Sequence, residues 1–245
     1  MTYCLGLTTR YGLVLASDSR TKNSEGGVNI CRKMHIFEKP GERVFLVATS
    51  GDWTLSQSIL TLLRRDFEQG IGLAQAETMY EAARMLGSQV RRASEHQRAA
   101  DANDGFKCDV HFILGGQIGT QPHEMYLIYP QGNPLCATED SPFLQLGEHR
   151  YGRSILVRGI RYHETSLAEA AKYALISMDS TMGSNAAVGP PIDIALYPTG
   201  CLEVNCRRRL TSADPDFREI HTQWGLALRR GVASLPEITF PPDAG

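Results

Sequence analysis

Cys4-Leu5-Gly6-Leu7 and Gly12-Leu13-Val14-Leu15-Ala16 open the chain as two short apolar runs, with Thr8-Thr9-Arg10-Tyr11 between them. Runs of this length read as strands, and the polar break between them reads as a hairpin loop. Working outward, Ser19 to Asn29 is polar and contains Gly26-Gly27, which predicts an irregular loop. Met34-His35-Ile36-Phe37 and Arg43-Val44-Phe45-Leu46-Val47-Ala48 then make a second pair across the turn-prone Pro40-Gly41. Two consecutive β-pairs therefore begin the fold.

The hydrophobic period then changes. Trp53, Leu60, Leu63 and Phe67 fall at helical spacing, with Ser50 or Asp52 as the N-cap. A second helix carries Leu73, Ala76, Tyr80, Ala83, Leu86 and Val90 on one face and ends in the polar, exposed stretch Arg91 to Gly105. Strands follow around Val110-Leu114, Met125-Ile128 and Phe143-Leu146. Ser166-Leu167-Ala168-Glu169 has the capping-box pattern and starts a third helix, which runs to about Met178. Ile192 to Tyr197 and Cys201 to Cys206 read as a hairpin across Pro198-Thr199-Gly200. Phe217, Ile220, Trp224 and Leu228 mark a last helix, and residues 231–245 form an extended C-terminal tail. Neither a linker nor a repeat divides residues 1–245, so a single domain is expected. Strand pairs separated by helix pairs predict an α+β fold of packed layers: two antiparallel sheets with helices on both outer sides.

Composition narrows the function. A net charge of −2 removes a global nucleic-acid footprint, and Arg207-Arg208-Arg209 reads as one short basic strand end. No apolar run approaches the roughly 20 residues of a membrane span. The N-terminus lacks the basic flank and apolar stretch of a signal peptide, so a cytoplasmic protein is expected. Six cysteines without a CxxC pair read as free thiols and not as a zinc site. A P-loop, an HExxH helix and a GxSxG elbow are all missing, so no metal or organic cofactor is expected. His35 and His111 read as packed or surface residues.

What remains lies near the start. Removal of Met1 would leave Thr2 with a hydroxyl nucleophile and a free α-amine in one residue, and that amine titrates near neutral pH. Asp18 ends an apolar strand and Lys33 begins another. A lysine beside the threonine would lower the α-amine pKa, and an aspartate would keep the lysine charged and oriented. From the residues alone, Asp18 as a turn residue and Lys33 as a solvated strand end is the slightly stronger reading.

Resemblance tips this balance. Thr2, Ala16-Ser17-Asp18-Ser19-Arg20, Arg32-Lys33-Met34-His35-Ile36 and Ala48-Thr49-Ser50-Gly51-Asp52 resemble the signature of proteasome β-type subunits. The opening Thr2 to Leu7, Ser177-Met178-Asp179-Ser180-Thr181-Met182-Gly183-Ser184-Asn185 and Pro191 to Ile194 most resemble the bacterial Anbu, or ancestral β-subunit, type. The resemblance implies the four-layer αββα sandwich of N-terminal-nucleophile hydrolases. It further implies Thr2 as nucleophile, Asp18 and Lys33 as its activating pair, Gly51 as oxyanion donor through its N–H, and Asp179 as a supporting aspartate. A glycine at 51 is read as leaving room for substrate. A peptide or amide substrate, a homo-oligomeric ring or helix and a separate unfoldase are the implied partners.

Two departures stand out. Proteasome β-subunits carry a serine where Glu148 stands, and another where Met182 stands. Both normally bond around the threonine amine, which leaves Glu148, and at a two-residue offset Ser184, as replacements. A weakly active or inactive assembly subunit, and an acyl transferase using an acceptor other than water, are the alternatives to a hydrolase.

Overall fold

The computed structural model describes residues 2–22, 27–100 and 109–239; Met1, Cys108 and residues 240–245 fall outside it. The opening hairpin is β1 (Tyr3–Thr9) and β2 (Gly12–Ser17), antiparallel with Leu5 opposite Ala16. Ser19 to Asn29 is not simply a loop, because β3 (Arg20–Lys22) and β4 (Val28–Ile30) pair as a small ribbon. Next come β5 (Met34–Lys39) and β6 (Arg43–Gly51), then α1 (Trp53–Glu68) and α2 (Met79–Ala100). β7 (Val110–Ile118), β8 (Glu124–Ile128), β9 (Pro134–Cys136) and β10 (Phe143–Gly147) lead to α3 (Arg150–Gly159) and α4 (Leu167–Ser184). The chain closes with β11 (Ile192–Pro198), β12 (Cys206–Leu210) and α5 (Pro215–Ala233).

The strands form two five-stranded antiparallel sheets, ordered β10-β1-β2-β11-β12 and β5-β6-β7-β8-β9. Alternation along each strand explains why the opening runs are apolar without a break, since successive side chains leave opposite faces. On β2, Leu13 and Leu15 point between the sheets, where they meet Val44, Leu46 and Ile113. Val14 and Ala16 point the other way, into a core with Leu156, Ala170, Ala174 and Met178 of α3 and α4. The second sheet repeats this, with Phe45, Val47, Phe112 and Leu114 packed on Ile59, Leu63, Leu86 and Val90 of α1 and α2. Three apolar interfaces in series make the four-layer αββα sandwich, an α+β fold. Each fully buried aliphatic or aromatic side chain in them contributes roughly 1.5–3 kcal/mol.

Several expected details shift. Asp52, not Ser50, caps α1, its Oδ1 accepting from the Leu55 N–H at 2.7 Å. Trp53 is only half-buried, so it belongs to the surface and not to the helix core. Leu73 lies in a 3₁₀ turn before α2, and Tyr80 is exposed while its neighbour Met79 is buried. α2 also runs past Arg91, with Ser94 buried in its last turns. α3 is an element the sequence pattern does not announce, whereas the capping box at Ser166 forms as its pattern predicts. β12 starts at Cys206 and not Cys201, which puts Arg207, Arg208 and Arg209 in mid-strand. α5 carries the chain to Ala233, so the tail begins after it and not at 231. No helix among the described residues is long and apolar enough to cross a membrane.

Candidate active site

Antiparallel neighbours place the start of one strand beside the end of the next. Thr2 precedes β1, Asp18 follows β2, Lys33 precedes β5, Gly51 ends β6 and Gly147 ends β10. Register seats Tyr3 opposite Gly147 and Cys4 opposite Ser17, so these termini gather at one end of the sandwich. A cavity of about 700 Å³ opens there, lined by Thr2, Thr21, Trp53, Glu148 and Arg150 and by the backbone turns at Gly51 and Gly147.

Asp18 and Lys33 form a buried ion pair, 2.7 Å from Nζ to Oδ1, with side chains 0% and 2% exposed. Lys33 also donates to the Arg20 carbonyl at 2.5 Å. Asp18 accepts two further bonds, from the Tyr3 N–H at 3.0 Å and the Arg20 N–H at 3.1 Å. Burial pushes the Asp18 carboxyl up, while the Lys33 ammonium and these donors pull it back. The Tyr3 amide is the peptide unit that follows Thr2, so the ion pair is tied directly to the threonine's own backbone.

The Thr2 carbonyl is held from the other side, where the Glu148 N–H donates to it at 2.8 Å. Gly147 makes that approach possible. Its φ is +77°, and a Cβ built there would sit 1.8 Å from the Thr2 oxygen. The Tyr3 ring is fixed as well: its hydroxyl is 2.6 Å from Ser177 Oγ and accepts from Gln145 Nε2 at 2.7 Å. Cys4, two residues from Thr2, is no rival nucleophile. Burial holds its thiol well above the usual range, and the Sγ–H points at the Thr49 carbonyl.

Glu148 is buried against the cavity wall, where Oε1 accepts from Arg150 Nε at 3.0 Å and Oε2 from Asn185 Nδ2 at 3.2 Å. The Arg150 bond holds the carboxyl below its ordinary value, so the group is ionised at neutral pH. Two helix N-termini also meet this cavity. Asp52 and Trp53 begin α1, while His149 and Arg150 begin α3, whose N-cap makes no side-chain bond. The Asp52 carboxylate already answers the dipole of α1, whereas the first-turn N–H groups and dipole of α3 favour negative charge at its end.

Gly51 faces this cavity with φ +110°, but the reason for a glycine differs from the expected one. An added Cβ would collide with the Asp109 carbonyl at 2.0 Å, inside the protein's own backbone and not in substrate space. Asp179 is not brought to Thr2. It sits on α4, 2.7 Å from His221 Nδ1 of α5, and lines a separate cavity with Arg20 and Met182. Ser184 is exposed at the end of α4 and does not line the Thr2 cavity; Asn185 beside it reaches the site through Glu148. Arg150, Thr21 and Trp53 escaped the sequence reading, since only the cavity itself brings them together.

No protein-family model matches the chain, and no curated protein does. Solved structures do. Anbu (ancestral beta-subunit) from Yersinia bercovieri is 38% identical, with 98% of this chain and 100% of that one covered and a TM-score of 0.91. The chain belongs to the Anbu family. Anbu from Hyphomicrobium sp. strain MC1 is 36% identical over 97% of this chain and all of its own, at a TM-score of 0.88. The helical assembly of the Anbu complex from Pseudomonas aeruginosa is 36% identical over 99% of each chain, at a TM-score of 0.90. Anbu proteins are proteasome-like β-subunit homologues, which agrees with the layered sheets described above.

Proposed function

We propose that the protein is a threonine-type N-terminal-nucleophile hydrolase of peptides or amides, active once Met1 is removed. The observation that carries this reading is the Asp18 carboxylate, which pairs with Lys33 and holds the Tyr3 N–H at the same time. A buried ion pair is costly to build, and here it is fixed one peptide unit from Thr2. Thr2 Oγ attacks the substrate carbonyl carbon while its proton passes to the α-amine. The amine then protonates the leaving nitrogen, and the acyl group stays on Oγ as an ester. Water, activated by the same amine, cleaves that ester and restores the threonine. The Gly51 N–H serves as donor to the developing oxyanion, where one such donor is worth about 3–4 kcal/mol, and the N-terminus of α3, with no side-chain cap, lines the same cavity. Glu148 offers an ionised carboxylate to the α-ammonium in place of the family's serine.

Intact mass tests this directly. A chain beginning at Thr2 should gain the full mass of a β-lactone, because ring opening leaves every atom on the enzyme. Thr2→Ala should gain none. If the wild-type chain never labels, or the variant labels as well, the nucleophile reading fails.

A second reading, assembly with little chemistry, has its own support. Leu228, Val232, Leu235 and Ile238 are 56–79% exposed along and just beyond α5, an apolar surface of the kind that seeks a partner. The Pseudomonas relative forms a helical assembly. We infer a homo-oligomer here too, served by a separate unfoldase. Light scattering on the purified chain at micromolar concentration should report a mass several times that of one subunit; a monomer would contradict it. Acyl transfer to an acceptor other than water would use the same threonine and the same ester.

A further inference from the structure

Two more cavities, of about 490 and 460 Å³, lie beyond Trp53 from the one at Thr2. Trp53 lines both the Thr2 cavity and the first of these, and Arg32, His35 and Arg64 line the first and the second. Shared walls thus set the three cavities in a row, from the nucleophile past Trp53 to the strand β12. Its far chamber adds Arg207, Arg208 and Arg209.

The charge in this row of cavities is one-sided. Arg208 is matched by Asp214 and Asp216, Arg209 by Asp193 and Arg65 by Asp66. Among the described residues, no carboxylate lies within ion-pair distance of Arg32, Arg64 or Arg207, and Glu68 is the remaining acid in the walls. Arg64 is held in place by stacking over Phe37, 5.4 Å from the ring centroid. The His35 imidazole registers the resulting field. Burial first and the Arg64 charge second push it down to about 4, and its buried Nε2 has no hydrogen-bond partner in the described structure. A protein of net charge −2 has therefore concentrated unmatched guanidinium groups in a concave surface next to its nucleophile.

We propose that this row of cavities selects acidic peptide segments, with Arg32 and Arg64 receiving a substrate carboxylate beside the bond that Thr2 attacks. The proposal rests on the hydrolase reading for the word substrate, but the binding itself does not need the nucleophile. Guanidinium forks match carboxylates two bonds at a time, which gives geometry as well as charge. A nucleic-acid strand would also find the arginines attractive. The wall shared with the Thr2 cavity at Trp53 favours a short peptide, whose next bond can reach the nucleophile, over a polyphosphate backbone.

The test uses full-length Thr2→Ala protein and three fluorescein-labelled hexapeptides, identical except for Asp and Glu, Asn and Gln, or Lys at the two central positions. Anisotropy should show the acidic peptide binding at least about tenfold tighter than its amide counterpart. That preference should shrink as salt rises and screening shortens. Arg32→Gln and Arg64→Gln should each remove most of it, with circular dichroism and oligomer mass unchanged. Equal binding of the acidic and amide peptides would overturn the proposal, as would a preference that survives the Arg32→Gln, Arg64→Gln double variant. Stronger binding of an oligothymidylate than of the acidic peptide would overturn it too. β-Lactone labelling of the wild-type chain is read in parallel. Labelling without acidic preference defeats this inference alone, and acidic preference without labelling upholds the binding site while defeating the hydrolase.

Discussion

Lys33→Met should lower folding stability by about 3–5 kcal/mol and cut β-lactone labelling of Thr2 more than about a hundredfold. The reason is the company Asp18 keeps. Its carboxylate is fully buried, and its only countercharge within ion-pair distance, among the described residues, is the Lys33 ammonium at 2.7 Å. Methionine fills the space of the lysine stem but leaves that carboxylate unmatched, with only the Tyr3 and Arg20 N–H groups to hold it. The folded chain can then escape the cost by protonating Asp18, whose carboxyl burial already pushes up.

This gives the variant a distinctive pH signature. In it, the folded state binds a proton that the unfolded state releases above about 3.9, so stability falls as pH rises from that value through the folded pKa. Urea unfolding should therefore find Lys33→Met closer to wild type at pH 5 than at pH 7.5. Adding Asp18→Asn should recover most of the stability, because the buried charge is gone, while labelling stays absent. Loss of labelling with no stability change would mean the pair is less buried than described. Stability loss with normal labelling would mean that Lys33 only holds the fold and does not serve Thr2.

The parts that could be read in advance are those set by short-range pattern. Leu13-Val14-Leu15-Ala16 is apolar on both faces because one face meets the second sheet and the other meets α3 and α4. The Ser166 capping box needs only four neighbouring residues, and it formed. β3 and β4 escaped because their pairing lies in a polar stretch with no apolar face to announce it. The sequence reading places β12 too early because Cys201 to Val204 is more apolar than the arginine-rich strand that follows, and pairing is set by register with β11, not by composition. At the site, Thr2, Asp18 and Lys33 stood out through resemblance, and the buried ion pair gives a physical reason for two of them. The Glu148, Arg150 and Asn185 network spans nearly forty residues and left no local trace. Arg32, Arg64 and Arg207 are farther apart still and become one surface only when the sheets and α1 fold together.

Gly147→Ala should be the other severe change, costing about 2–4 kcal/mol and abolishing labelling, although residue 147 has no side chain to contribute to any reaction. Two penalties combine there. Alanine at φ +77° enters the left-handed region at about 1–2 kcal/mol, and its Cβ would lie 1.8 Å from the Thr2 oxygen and 2.6 Å from its carbonyl carbon. Since the opposing atoms are backbone, relief requires moving Thr2 itself. That motion breaks the 2.8 Å bond from the Glu148 N–H and pulls on the Tyr3 N–H that Asp18 holds. Gly41→Ala separates the two penalties. Gly41 has nearly the same φ, +76°, but an added Cβ meets nothing within 4 Å. It should cost only the conformational term and label at the wild-type rate. Comparing the two by urea unfolding and lactone mass shift isolates what the Thr2 contact contributes. If Gly147→Ala labels as fast as Gly41→Ala, the carbonyl anchor does not place the nucleophile, and the Asp18 side of the site must do so alone.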